Sequence, residues 1–270
     1  LPPFVTTLQQ LECFGVPQEF VQKAEECGWS RQTLRLPHNF EAIIEQSDTP
    51  VDFSSISKLY EQLIAGVFLN NKTQKYWVVK QNDIYYNCFM LYATCLSLAE
   101  CDPFKYVPLD NCWGWSVIEE SDGALITVGK LKPASFSNKL FYVMGDFDAG
   151  NLSPEISYEV AFVIKVPFSA SERCLKAARS YFSYAPGTSH AEEIVLVDKQ
   201  KDVWIQIVIG EFMTSPASID QTLHFRLAGI EPGFEIQGVV VRAVQKPVLT
   251  RTLDQTGVTG PKTDYTSLKL

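Results

Sequence analysis

The spacing of apolar positions changes near residue 80 of this 270-residue chain. Upstream of that point apolar residues recur every three or four positions, which is the period of amphipathic helices. Downstream they alternate with polar residues every second position, which is typical of strands in a sheet. The pattern predicts a helical segment over residues 1–80 and a β domain over residues 81–250. Residues 251–270 show no period, and we expect a flexible tail there.

The clearest predicted helix is FSSISKLYEQLIAG, residues 53–66. Ser54 or Ser55 can cap the N-terminus, and Gly66 can end the helix. Its apolar stripe consists of Ile56, Leu59, Tyr60 and Leu63. Two further amphipathic segments are QEFVQKAEECG at 18–28 and LPHNFEAIIEQS at 36–47.

Nine segments after residue 80 have the pattern of strands: 84–99, 113–118, 124–130, 139–147, 157–165, 193–198, 203–213, 221–230 and 234–244. Turn-rich stretches such as DAGNLSPE and APGTSHAE separate them. Many strands with turns between them predict a mostly β fold, an antiparallel β-sandwich of jelly-roll type with an N-terminal helical segment. We expect a short helix within SASERCLKAARSYF, residues 169–182.

The segment CFMLYATCLSLAECDP, residues 88–103, is largely apolar on both faces when it is extended. Such a strand should be covered on both sides. It ends at Glu100 and Asp102, two carboxylates that a buried strand would not tolerate. We therefore ask whether the end of this strand forms part of a binding site.

Composition and charge argue against several classes of protein. The net charge is −8 at pH 7, and no cluster of basic and aromatic residues offsets it, which argues against nucleic-acid binding. No apolar run approaches the roughly 20 residues that a membrane-spanning helix needs. The seven cysteines are odd in number and share no short spacing. They indicate a reducing compartment, the cytosol or the nucleus, and not a disulfide scaffold.

The sequence lacks the standard signatures of catalysis. It contains no GxSxG, no HExxH and no GxGxxG after a strand. His38, His190 and His224 are far apart, and none has a second ligand at metal-site spacing. We therefore expect no cofactor and no metal, and we favour a non-enzymatic protein.

Trp113 and Trp115 share one face of a predicted strand, after a loop that holds Phe104 and Tyr106. Sugar-binding proteins use such aromatic side chains, because the apolar face of a pyranose ring stacks on an indole. The alternative is that both indoles fill the core of the sandwich, where tryptophan is commonly buried.

Five segments in order carry a resemblance to a known family: NCFMLYATCLSL, WGWSVIE, LSPEISYEVAFVIKV, KDVWIQIVIGEF and FEIQGVVVRAVQKP. Together they resemble the phloem protein 2 (PP2) and tobacco-agglutinin-like lectins of plants over residues 76–247. Residues 40–80 are similar to the linker that precedes this domain in F-box proteins, and residues 1–37 resemble a shortened F-box. The resemblance implies a β-sandwich that binds N-acetylglucosamine oligomers or N-glycan cores, with a Skp1-type adaptor as a further partner.

The resemblance also implies a sugar site made of two tryptophans and two carboxylates. Glu100 stands at the position of the first tryptophan and Trp113 at the second, while Thr222 and Gly229 occupy the carboxylate positions. A carboxylate accepts hydrogen bonds from sugar hydroxyls but offers no apolar face. We therefore expect weak binding of N-acetylglucosamine oligomers. The candidate ligand-binding residues are Glu100, Tyr106, Trp113, Trp115, Thr222 and Gly229.

Three functions follow from these observations. The first is a lectin-like carbohydrate-binding domain with a modified sugar site. The second is a protein-interaction adaptor or ubiquitin-ligase substrate receptor, whose N-terminal helices contact the Skp1-type partner. The third is a small-molecule-binding or enzymatic pocket remade by Glu100, Asp102, Tyr106 and Trp113, in which a carboxylate with a raised pKa acts as a general base.

Overall fold

Two antiparallel sheets packed face to face form most of the molecule, as the strand pattern predicted. The structure is a computed structural model. It describes residues 36–100, 113–132, 140–184, 188–216 and 221–244. The tail at 251–270 and most of the F-box-like segment lie outside these ranges, so the predictions made for them stay predictions.

The described helices are α1 (Phe40–Ile44), α2 (Ile56–Ala65) and α3 (Glu172–Ala177). The strands up to the middle of the chain are β1 (Val67–Leu69), β2 (Gln74–Gln81), β3 (Ile84–Tyr92), β4 (Ser97–Glu100), β5 (Trp113–Glu119), β6 (Leu125–Leu131) and β7 (Phe141–Asp148). The later strands are β8 (Ser157–Lys165), β9 (Arg179–Tyr184), β10 (Ser189–Glu193), β11 (Trp204–Met213), β12 (Thr222–Ile230) and β13 (Glu235–Ala243).

The larger sheet is organised around β13. One edge of β13 pairs with β8, which pairs in turn with β11. The other edge is shared, because Gly238–Val241 pair with β3 whereas Glu235 and Ile236 pair with β6. The β1–β2 hairpin extends the sheet beyond β3, and the β5–β6 hairpin extends it beyond the first residues of β13. The smaller sheet has the order β10–β9–β12–β7–β4.

The predicted strand at 84–99 is two strands in two sheets. A 3₁₀ turn at Ala93–Cys95 separates β3, in the larger sheet, from β4, which pairs with β7 in the smaller one. The turn is closed by the N–H of Leu96, which donates to the carbonyl of Ala93. Because the segment from β3 into β4 is largely apolar on both faces, its alternation alone does not reveal the break.

The short helix expected within 169–182 is confirmed at Glu172–Ala177, where it is followed by β9. Two other boundaries differ from the sequence-based expectations. The helical pattern stops at α2, since residues 74–81 form β2, which pairs with β3 and buries Tyr76 and Val78. The strand expected at 193–198 lies earlier, as β10, where it pairs with β9.

Helix α2 confirms the strongest prediction from the N-terminal segment. The Ser55 hydroxyl accepts a hydrogen bond from the N–H of Lys58, and Gly66 follows the helix with φ 97°. Leu59 and Leu63 are fully buried, and Tyr60 stacks on Tyr85 of β3 with centroids 4.2 Å apart. The helix therefore packs on the same core as the sheets.

Aromatic contacts fill the space between the sheets. Phe89 meets Phe147 at 4.9 Å between ring centroids, and Phe162 meets Phe225 edge-on at 5.9 Å. A second, smaller cluster lies on the opposite, outer face of the larger sheet. Its buried members are Met90, Tyr92, Ile126, Val128, Val163 and Val240. The β5–β6 hairpin therefore contributes apolar side chains to the outer face of this sheet.

Asn87 connects three parts of the fold through a fully satisfied buried amide. Its Oδ1 accepts from the hydroxyl of Tyr76 at 3.0 Å, and its Nδ2 donates to the carbonyls of His38 and Asn151 at 2.6 and 2.8 Å. Its backbone N–H donates to the Ser153 hydroxyl at 3.1 Å. Because buried polar groups are costly when unpaired, this residue fixes the segment before α1 against the sheets.

Replacing Asn87 with alanine is expected to lower the free energy of unfolding by on the order of 3 kcal/mol, because three partners lose their hydrogen bonds. Tyr76→Phe removes only one of these bonds and should cost about 1 kcal/mol. Urea denaturation of both variants and the wild type tests the difference. A smaller loss for Asn87→Ala than for Tyr76→Phe would contradict the role of this amide.

Buried ionisable groups make the fold sensitive to alkaline pH. Burial raises the pKa of the Cys88 thiol to about 12 and that of the Tyr76 phenol well above its usual value. In the unfolded chain these groups ionise near about 8.5 and 10, so their contribution to stability is complete below those values and is lost progressively as the pH rises from them towards the higher folded-state values. At pH 10 the thiol alone should cost about 2 kcal/mol relative to pH 7. Urea denaturation across pH 7–10 should show this fall, and Cys88→Ala should make it shallower; equal slopes would contradict the assignment.

Candidate functional site

Three of the four positions implied for the sugar site lie at one end of the sandwich. Glu100 is the last residue of β4 and pairs with Phe141 of β7. Phe141 pairs with Ile230, the neighbour of Gly229. Trp113 pairs with Leu131, whose N–H donates to the carbonyl of residue 234 at 2.9 Å, in the turn between β12 and β13. The ends of β4, β5 and β12 therefore meet at this turn.

The fourth position lies elsewhere. Thr222 begins β12 and pairs with Asp148. Seven residues of extended strand separate it from Gly229, a span of roughly 23 Å. The structure therefore does not bring Thr222 to the end that holds the other three positions. Asp102 and Tyr106 lie outside the described residues.

The two indoles of β5 have different environments. Trp113 is 6% exposed and belongs to the core, whereas Trp115 is 48% exposed. Their rings stack with centroids 5.4 Å apart and planes 28° apart. A Cβ on Gly129, in the neighbouring strand, would stand 2.6 Å from the Trp113 ring, so the absence of a side chain there admits the indole. The buried ring thus supports the exposed one.

Trp115 is part of an exposed apolar strip on one face of the β5–β6 hairpin. Val117 and Leu125 lie on the same face and are also mostly exposed. A flat aromatic surface that is rigidly backed can take the apolar face of a ring-shaped ligand.

Gly229 lies in a β-bulge of β12, where the register with β7 shifts. Its φ is 82°, a conformation that strains residues with a side chain. Its carbonyl accepts a hydrogen bond from the buried Cys174 thiol at 3.0 Å. The position is constrained by the backbone, and it supplies no carboxylate.

A groove of about 320 Å³ opens on the outer face of the larger sheet. Its floor consists of the apolar side chains of Met90, Val163 and Val240, and the indole of Trp77 lines it as well. Polar groups lining it come from four separate strands or turns: Lys75, Glu120, Gln206 and Gln237. The groove lies on the face away from the smaller sheet.

Glu120 organises the polar side of the groove. It follows β5 and receives three donors, each from a different strand. Its Oε1 accepts from the Tyr92 hydroxyl and from the Gln237 amide, both at 3.0 Å, and its Oε2 accepts from the Lys75 ammonium at 3.1 Å. Lys75 also donates to Asp122 in the β5–β6 turn. The carboxylate therefore ties the tip of the hairpin to β2, β3 and β13.

Lys75, Glu120 and Asp122 form a cluster of charges that stabilise one another. Burial lowers the pKa of Lys75, but its hydrogen bonds to Asp122 and Glu120 outweigh burial and hold that pKa above its usual value. The bond from Lys75 also holds the pKa of Asp122 below its usual range. Burial, and then the nearby charge of Glu120, raises the pKa of the Tyr92 phenol. Near neutral pH Tyr92 is therefore a protonated donor.

Irregular backbone places Gln237 in the groove. The register of β13 against β8 shifts between Ile236 and Gly238, and such a bulge re-aims the side chain beside it. A Cβ on Gly238 would lie 2.0 Å from the carbonyl oxygen of Leu91, so only glycine allows this approach of β13 and β3. The bulge and the glycine together shape the groove.

Sequence reasoning missed the groove, because its residues come from distant parts of the chain. The alternation of Lys75 and Trp77 with Tyr76 and Val78 was the available signal for an extra strand. The acidic turn after β5 was visible as well, but its partners in β2, β3 and β13 were not.

The described residues contain no cluster of three or more His, Cys, Asp or Glu side chains placed to hold a metal ion. His224 pairs with Asp146 on the exposed face of the smaller sheet. Burial raises the pKa of the Cys88 thiol, so it is not a thiolate at neutral pH. Within the described ranges, no helix is both long and apolar enough to cross a membrane.

Comparison with known proteins finds a family profile and several relatives that match this chain. The profile of the family described as Phloem protein 2 matches residues 86–245. Protein PHLOEM PROTEIN 2-LIKE A1 of Arabidopsis thaliana is 32% identical over 79% of this chain and 83% of its own length. A protein named Lectin from Luffa acutangula is 31% identical over 78% of this chain and 97% of its own length. Protein PHLOEM PROTEIN 2-LIKE A5 of Arabidopsis thaliana is 26% identical, over 58% of this chain and 37% of its own length.

The profile spans more than half of the chain, and its matched range contains the strands from β4 to β13 and most of β3. The first relative independently exceeds 30% identity over most of its length. The chain belongs to the phloem protein 2 family.

Proposed function

We propose that this chain is a lectin-like protein that binds carbohydrate at the end of the sandwich where β4, β5 and β12 meet, through a modified form of the family's sugar site. Membership of the family supports the proposal, as does the similarity to a protein named Lectin in Luffa acutangula. The F-box-like character of residues 1–37 supports an origin in the F-box subgroup.

The observation that carries the proposal is the exposed indole of Trp115. It stacks on the buried ring of Trp113, and Gly129 gives that buried ring its place. A side chain held in this way loses little conformational entropy when a ligand binds, so the gain from stacking a pyranose ring is retained.

The site is modified at Glu100, which ends β4 where the resemblance places a stacking tryptophan. Loss of one aromatic platform costs on the order of 1–3 kcal/mol of binding free energy. Thr222 and Gly229 add no carboxylate, and Thr222 lies near the far end of the sandwich. Binding of N-acetylglucosamine oligomers should therefore be weak.

The structure shows which substitutions are suitable for testing the site. Gly229→Glu would place a side chain at φ 82°, and Thr222→Glu would act far from the other residues. Trp113→Ala would open a cavity in the core, because that indole is buried. Glu100→Trp and Trp115→Ala leave these parts of the fold intact.

Calorimetry with chitotriose on the full chain should show weak binding by the wild type. Glu100→Trp should strengthen it about tenfold by restoring a stacking surface, and Trp115→Ala in that background should remove this gain. Met213→Ala, an exposed apolar residue at the end of β11, is the control and should have no effect. Tight binding by the wild type that survives Trp115→Ala would show that the site has been placed wrongly.

A further inference from the structure

We infer that the groove on the outer face of the larger sheet is a second ligand site, which takes a neutral saccharide ring. It is separate from the site proposed at the end of the sandwich, because it is built from the end of α2, from β2, β3, β8, β11 and β13, and from the turn after β5. Its volume of about 320 Å³ falls at the lower end of the range for small-ligand pockets, about 300–1,000 Å³.

The apolar part of the groove suits the flat face of a ring. Met90, Val163 and Val240 form a floor that is nearly buried, and Trp77 is a half-buried indole beside it. Trp77 also packs against both hydrophobic clusters, so its ring is fixed by the fold. A fixed indole beside an apolar floor binds the C–H face of a pyranose in preference to a fully polar molecule.

The polar part of the groove is already oriented. A carboxylate has about four lone-pair sites, and Glu120 uses three of them for Tyr92, Gln237 and Lys75. One site is left for a ligand hydroxyl. Gln206 is exposed at the other side and makes no side-chain hydrogen bond to any residue within the described ranges. Its amide can both donate to and accept from a hydroxyl.

The charges of the groove favour a neutral ligand. Lys75 donates to both Glu120 and Asp122, and its ammonium lies 5.2 Å from the centroid of the Phe68 ring, so its positive charge is compensated within the protein. The cluster of these three groups carries a net charge of about −1, which repels anions further. The remaining carboxylate charge is on Asp122, which is partly exposed to water and bonded to Lys75. The hydrogen-bonding groups left for a ligand in the groove are amides and one carboxylate oxygen, and these match hydroxyl groups.

Nuclear magnetic resonance of the full chain can test this inference with Trp115→Ala, which removes the proposed end site. Neutral trisaccharides such as chitotriose, cellotriose and mannotriose are the probes, and an acidic trisaccharide is the comparison. At least one neutral probe should shift the indole N–H resonance of Trp77, while the acidic probe should bind at least about tenfold more weakly.

Gln206→Ala should weaken the binding of that neutral probe about tenfold without altering the fold, because this exposed amide has no structural partner in the described ranges. Glu211→Ala, further along the same strand and outside the groove, is the matched control and should leave binding unchanged. Trp77→Leu removes the stacking surface and is a second test of the same site.

Two results would overturn the inference. One is the absence of any shift of the Trp77 indole resonance with every neutral probe. That result would not bear on the end site, which is tested separately through the indole resonance of Trp115 in the wild type. The other is a Trp77 shift that depends on protein concentration without a saccharide, since this would mark the groove as a contact between copies of the chain.

Discussion

The attachment of the β5–β6 hairpin, which carries Trp115 and borders the groove, depends on the carboxylate of Glu120. It accepts hydrogen bonds from side chains of β2, β3 and β13, and only 16% of its side chain is exposed. Hydrogen bonds to a charged, largely buried group are each worth more than neutral ones, about 1.5–3 kcal/mol. The same residue closes the turn of the β5–β6 hairpin, where its N–H donates to the carbonyl of Ala124 at 2.8 Å. One side chain therefore fixes the hairpin against the sheet.

The hairpin has a different role on each face. On one face Ile126 and Val128 join the cluster under the groove, and on the other Trp113 enters the core while Trp115 stays exposed. Backbone pairing holds only its base, since β6 meets β13 at Glu235 and Ile236 alone. Its tip depends on Glu120 and on the apolar cluster, whereas Trp115 pairs with Gly129, which meets Ile236 of β13, and so lies at the base.

Periodic features of the sequence predicted much of the fold. Most strands of the sandwich and helix α2 with its serine cap appear where the pattern placed them, because their burial follows one simple period. The break at Ala93–Cys95 was not predictable from alternation, since the segment from β3 into β4 is largely apolar on both faces. The different burial of Trp113 and Trp115 depends on Gly129 in the neighbouring strand, which no local pattern reveals. The groove joins residues as distant in sequence as Lys75 and Gln237, so its existence follows only from strand order.

Amide hydrogen exchange in Glu120→Ala tests the central claim most directly, with Glu119→Ala as the control because Glu119 is the exposed neighbour of this residue. If Glu120 fixes the hairpin, amides of residues 115–127 should exchange at least about tenfold faster than in the wild type, while the β8–β11 pair keeps its protection. Glu119→Ala should leave both regions unchanged. Unaltered protection of the hairpin in Glu120→Ala, or an equal loss across the whole sheet, would contradict the account.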